Sequence, residues 1–118
     1  MKLQETGIIL RTEKYRECVR FYGRTLGLSV RSRKRGLTNF RFGRAYLMVE
    51  KKGVAKRRPK TSAQNPTILR FNVPDMDRAL RDLKKKGLVL QKRVYSWGTI
   101  AHGSDPDGNL FELCRWPD

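Results

Sequence analysis

Asp105-Pro106-Asp107-Gly108-Asn109-Leu110-Phe111-Glu112-Leu113, near the C-terminal end, is the most informative segment of the chain. It reads as a tight polar turn feeding a strand. Pro106 presets φ, Asp107 tolerates turn geometry, and Gly108 can take a positive φ. Alternation then places Phe111 and Leu113 on one face, with Leu110, Glu112 and Cys114 on the other. Glu112 is thus a carboxylate among apolar neighbours. Such a residue is either an exposed edge group or one that points into a cleft.

Outward from this hairpin the chain repeats itself. In the first half, residues 7–12 alternate as a strand, and Thr12 is the expected N-cap of a helix over 13–26. Tyr15, Cys18, Val19, Tyr22 and Leu26 form that helix's apolar face, and Gly27 stops it. Strands are expected near 28–33, 37–43 and 45–50. The pattern restarts after a basic connector. A strand covers 67–73, Asp75 caps a helix with Met76, Ala79, Leu80 and Leu83 on its face, and Gly87 ends it. Strands near 88–95, 98–104 and 109–115 complete the half. Gly27 and Gly87 share a 60-residue offset with Ile8 and Ile68. This is the signature of a duplicated βαβββ unit. One domain, 1–118, is expected, with module one at 1–52, a basic connector at 53–65 and module two at 66–118.

Composition bounds the function classes. The chain has 118 residues, with 27 Lys and Arg against 11 Asp and Glu, a net charge of +16. No apolar run approaches the roughly 18 residues that a membrane span needs. The start, Met1-Lys2-Leu3, has no apolar signal core, so a cytoplasmic protein is expected. Cys18 and Cys114 have no metal-ligand spacing and read as a reduced pair.

Two segments carry a family resemblance. Phe21-Tyr22-Gly23-Arg24-Thr25-Leu26-Gly27-Leu28 resembles the "FY…LG(L/M)" segment of the vicinal oxygen chelate superfamily, the glyoxalase, bleomycin-resistance protein and extradiol dioxygenase group. Asp105 to Leu113 is similar to its "DPDGN-x-x-EL" hairpin. The resemblance implies an α+β fold. Two tandem βαβββ modules would enclose a cleft with curved mixed sheets, helices on the outer face, usually completed in a homodimer. In metal-dependent members four His, Glu or Gln ligands point into the cleft. Carried over residue by residue, the last falls on Glu112, which matches. The others fall on Gly7, Leu47 and Ile68 (Thr67 if the register slips), which do not. A single ligand does not hold a divalent transition metal, which needs several converging donors. No metal cofactor is expected.

What remains on the same strand faces is Arg11, Arg70, Asn72 and Glu112, beside apolar residues that include Leu47. Arg70 is a permanently charged fork in mid-strand, where burial without a partner is costly. It either pairs with Glu112 or clamps a ligand's carboxylate or phosphate bidentately. Trp97 and Tyr95 offer a stacking wall or a packing contact. His102, the one histidine, is expected opposite Phe111 across a four-residue turn at 105–108, on the face away from Glu112; a one-residue change in turn length would reverse this. Ligand binding is therefore assigned to Arg70, Glu112, Arg11, Asn72, Leu47 and Trp97, and any catalysis to Glu112.

The basic residues cluster at Arg31, Arg33, Lys34 and Arg35, at Lys51, Lys52, Lys56, Arg57, Arg58 and Lys60, and at Lys84-Lys85-Lys86. They form either a solvated surface or a footprint for a polyanion. No nucleic-acid readout motif accompanies them, so any such binding is expected to be non-specific. A cationic drug of the bleomycin type would be repelled. The expected function is metal-free binding or sequestration of a small anionic or aromatic molecule. The alternatives are a lyase, isomerase or dioxygenase-type enzyme, and a nucleic-acid-associated protein.

Overall fold

The computed structural model describes residues 1–117. The chain divides into two compact units, residues 1–56 and a second beginning at Arg57. Each is a four-stranded mixed sheet with one helical segment, so the α+β fold of two tandem βαβββ modules is as expected.

In the first unit β1 (Gly7–Thr12) leads to α1 (Tyr15–Arg20) and a π turn (Phe21–Thr25). β2 (Val30–Lys34), β3 (Leu37–Phe42) and β4 (Ala45–Lys51) follow, in sheet order β1-β4-β3-β2 with β1 parallel to β4. Thr12 is fully buried, and its hydroxyl accepts from the Lys14 amide at 2.9 Å. The regular helix starts only after that, at Tyr15, and is shorter than the expected 13–26. Its far end widens into the π turn, closed by Leu26 N–H to Phe21 O at 2.8 Å and followed by Gly27 at φ 78°. The helix covers the sheet face that carries Thr38, Phe40, Leu47 and Val49, all fully buried. Two contacts fix that side. Tyr15 Oη lies 2.6 Å from Thr38 Oγ1, and a Cβ on Gly23 would stand 3.2 Å from the Phe40 ring.

The second unit contains β5 (Leu69–Asn72), α2 (Met76–Lys85), β6 (Lys92–Tyr95), β7 (Gly98–Ser104) and β8 (Leu110–Arg115), in sheet order β5-β8-β7-β6. Asp75 caps α2 as expected, its Oδ1 accepting from the Arg78 amide at 3.0 Å. Leu69, Ala101, Phe111 and Leu113 share one sheet face and, with Met76 and Leu83 of α2, are buried. Burial of such apolar side chains stabilises by about 1.5–3 kcal/mol each before entropy is counted.

The basic connector is not a free linker along its whole length. Lys60 donates its amide to Gly108 O at 2.7 Å and its ammonium to the 105–109 turn, so residues from 57 onward belong with the second unit. Among the described residues no helix is long and apolar enough to cross a membrane.

Candidate functional site

The Asp105–Asn109 turn sets the register of everything around Glu112. Asp105 Oδ1 accepts from the amides of Asp107 and Asn109 at 2.8 and 2.9 Å, and Asp105 Oδ2 accepts from Asn109 Nδ2 at 3.0 Å. Asn109 O accepts from the Asp105 amide at 2.9 Å. Asn109 is thereby drawn into the turn. β7 and β8 close at Ser104 opposite Leu110, across a five-residue turn.

This corrects the expected orientation of His102. With five turn residues, His102 pairs with Glu112 and not with Phe111, and the two side chains share a face. His102 Nε2 lies 2.8 Å from Glu112 Oε2. On the other flank β5 runs parallel to β8 with Arg70 opposite Glu112 and Asn72 opposite Cys114. Arg70 Nε hydrogen-bonds and ion-pairs with Glu112 Oε1. Both carboxylate oxygens are therefore engaged. The Glu112 side chain is 8% exposed and that of Arg70 40%, so the anion is sheltered while the guanidinium reaches solvent.

An aromatic row continues from Arg70. The guanidinium carbon stands 5.4 Å from the centre of the Trp116 ring, within cation–π range. Trp116 lies 5.5 Å from Trp97, and Trp97 stacks on Tyr95 at 5.3 Å with their planes 11° apart. All three rings are exposed. The β6–β7 turn, Ser96-Trp97, presents Trp97 there, because Tyr95 pairs with Gly98 across a two-residue connection. Trp116 was missed in the sequence reading. Continuing the alternation of Glu112 and Cys114 by two residues would have found it.

Of the candidate residues, Arg70, Glu112, Asn72 and Trp97 come together on this open face of the second unit, with His102 and Trp116 added. Arg11 lies in the first unit, where its Nε is 3.2 Å from Glu50 Oε2. Leu47 is corrected. It is fully buried on the helix side of its sheet, paired with Ile8 and Phe40. The residues of β4 that share a face with Gly7, Ile9 and Arg11 are Tyr46, Met48 and Glu50. Leu47 lies four residues after Gly43, as Glu112 does after Gly108, but the two turns are not equivalent. The turn that holds Gly43 has two residues and the turn that holds Gly108 has five, so equal counts from the glycine do not give equal registers or equal faces.

Two groups away from this face are displaced from their ordinary ranges. The hydrogen bond and charge of Glu5 raise Arg31 further, and the hydrogen bond and charge of Lys92 hold the Asp77 carboxyl low. Among the described residues no three His, Cys, Asp or Glu side chains are grouped as metal ligands.

Comparison with known proteins agrees with the fold. The model of the Glyoxalase/Bleomycin resistance protein/Dioxygenase superfamily matches residues 5–113. YraH, an uncharacterized protein of Bacillus subtilis (strain 168), is 29% identical over 98% of both chains. Among solved structures, a glyoxalase/dioxygenase from Nostoc punctiforme superposes with a TM-score of 0.80 at 19% identity, over 98% of this chain and 92% of that one. An antibiotic binding protein from Streptomyces sp. CB03234 gives 0.77 at 17% identity, over 98% of each chain. At these identities the structural likenesses speak for the fold alone.

Proposed function

The chain belongs to the Glyoxalase/Bleomycin resistance protein/Dioxygenase superfamily, and from that premise we propose that it binds or sequesters a small aromatic anion, without a metal, on the open face of its second unit. The observation that carries this reading is the Arg70 guanidinium. It is held through Nε by Glu112, lies against Trp116, and is continued by Trp97 and Tyr95. The ion pair holds the fork through Nε, which leaves both terminal nitrogens outside that bond on a side chain that reaches solvent. An incoming carboxylate or phosphate meets a pre-oriented donor pair, and an aromatic body finds rings to stack on. Asn72, on the same face, supplies a further polar group.

The residues at the superfamily's metal positions do not fit a divalent ion. Gly7 and Ile68 carry no donor, and a Cβ on Gly7 would run into the Tyr46 ring. On β4 the neighbour of Leu47 on the open face is Met48, whose thioether suits soft metals and not the hard or borderline ions of N/O sites. Glu112 already satisfies Arg70 and His102. The same two contacts argue against a lyase, isomerase or dioxygenase reading with Glu112 as base, since both of its oxygens are already occupied and neither is free to reach a substrate proton. A cytoplasmic homodimer fits the resemblance and the two buried thiols, Cys18 and Cys114.

Titration with 2-naphthoate, followed by quenching of tryptophan emission, tests the proposal. Saturable quenching and a raised Tm are expected, with affinity at least tenfold weaker in Arg70→Ala and for the neutral 2-naphthalenemethanol. Equal binding by Arg70→Ala would remove the clamp. Stabilisation by several degrees with Ni²⁺, Zn²⁺, Fe²⁺ or Mn²⁺ alone would overturn the metal-free part.

A further inference from the structure

We propose that the first unit carries a second ligand site, an arginine-rimmed groove on the helix side of its sheet, which takes a single-chain organic phosphate. The groove has a volume of about 510 Å³, within the range of small-molecule sites. Arg16, Arg20 and Arg24 line it from one side at four-residue spacing, on α1 and the π turn, and Arg33 of β2 lines it from the other. Its apolar lining is Val19, Leu28, Val30 and Phe40. None of these residues belongs to the open face of the second unit.

The local sequence explains why there is a groove. Gly23 has no side chain where a Cβ would stand 3.2 Å from Phe40, so the π turn approaches the sheet closely there. Helices that widen into a π turn do so disproportionately at functional sites. Val30 remains exposed beside this gap. The Tyr15 and Thr38 hydroxyls, 2.6 Å apart, also border the groove and add polar groups to an otherwise aliphatic lining.

Electrostatics selects the occupant. Arg11, Arg31 and Arg70 elsewhere in the chain are each matched to a glutamate. Arg16, Arg20 and Arg33 form no ion pair among the described residues. The first unit also holds fifteen of the 27 Lys and Arg but only four of the 11 Asp and Glu, a net +11. The guanidinium groups of Arg16, Arg20 and Arg33 around one groove repel each other, and a dianionic phosphate relieves that repulsion while accepting bidentate bonds. The lining is mainly aliphatic, so the body that fits it is an alkyl or acyl chain. An aromatic ring, favoured at Trp97 and Trp116, finds no exposed stack here, since Phe40 is fully buried and Tyr15 is tied to Thr38.

The test uses the full chain with Arg70→Ala as background, so that only the groove is read, and n-octyl phosphate as the probe. Calorimetry is expected to show one site, at least tenfold weaker for inorganic phosphate and undetectable for n-octanol. Adding Arg16→Ala and Arg20→Ala, exposed helix positions where alanine preserves the fold, is expected to weaken octyl phosphate at least tenfold at unchanged Tm. Val19→Gln should weaken octyl phosphate but not inorganic phosphate. Equal affinity for octyl and inorganic phosphate, or no response to the arginine substitutions, would overturn the site. So would competition by a duplex oligonucleotide that persists at 150 mM salt, which would assign the arginines to nucleic acid. Loss of 2-naphthoate binding in Arg70→Ala alone bears on the other face and leaves this result independent.

Discussion

Asp107 shows how a single buried charge is held in this chain. Its side chain is fully buried, and its Oδ2 lies 3.2 Å from Lys60 Nζ, itself only 11% exposed. Asp107 Oδ1 accepts no hydrogen bond among the described residues, so the ammonium is the carboxylate's principal compensation. Lys60 also donates to Asn109 Oδ1 at 2.9 Å, an atom that Asn65 Nδ2 reaches at 3.0 Å. Removing one partner of a sheltered pair leaves the other charge uncompensated. Lys60→Met is therefore expected to cost about 3 kcal/mol in urea denaturation, and Lys60→Met with Asp107→Asn distinctly less. A cost below about 0.5 kcal/mol for the single change, the level of an ordinary surface substitution, would show that the ammonium does not anchor the turn. The sequence made this turn recognisable but gave no sign of its anchor, because Lys60 sits 47 residues away within a run of like charges. The pairing of Arg70 with Glu112 was legible for the opposite reason. A mid-strand arginine needs a carboxylate, and strand alternation left one on the facing strand.

At the level of elements, period and punctuation carried the reading. Asp75, Gly27 and Gly87 act where their chemistry predicts, and all eight strands are present near their expected places. Registers were less legible, since they depend on turn lengths that side-chain hydrogen bonds adjust. Asn109 joins its turn through Asp105, and that one residue moved His102 onto the face of Glu112. Ile8 and Ile68 share the duplication offset, yet Ile8 pairs with the buried Leu47 while Ile68 is exposed. Between α2 and β6, Lys92 Nζ donates to Asp77 Oδ1 at 2.8 Å and holds that carboxyl below its ordinary value. A carboxyl with a lowered folded value stabilises above the ordinary value of 3.8, and the contribution fades as pH falls through the folded value. The stability gap between wild type and Asp77→Asn should thus be largest at neutral pH, close below pH 3.8 and shrink with added salt. A gap that stays constant from pH 7 to pH 2 would exclude the tie.

For the molecule as a whole, charge and duplication are independent messages. The duplication fixes the architecture, because each βαβββ unit builds a sheet with one face under a helical segment and one face open. The charge says nothing about that architecture, but it governs what approaches. Of the net +16, the first unit holds +11, and Arg16, Arg20 and Arg33 on its helix side form no ion pair among the described residues, whereas Arg11 on its other face pairs with Glu50. A surface of this kind attracts any polyanion by counterion release, with a logarithmic salt slope of about −0.9 per phosphate neutralised. Retention of duplex DNA is accordingly expected at 50 mM salt and to fall by about 10³-fold or more at 200 mM for a footprint of six phosphates, with no preference among sequences. Fluorescence anisotropy with two unrelated duplexes measures both features. A shallow slope with a preferred sequence would require direct base contacts, for which no groove-reading element exists among the described residues, and would displace the small-ligand reading. A steep slope without preference leaves the arginines of the groove and the Arg70 fork to anions small enough to lie on one unit.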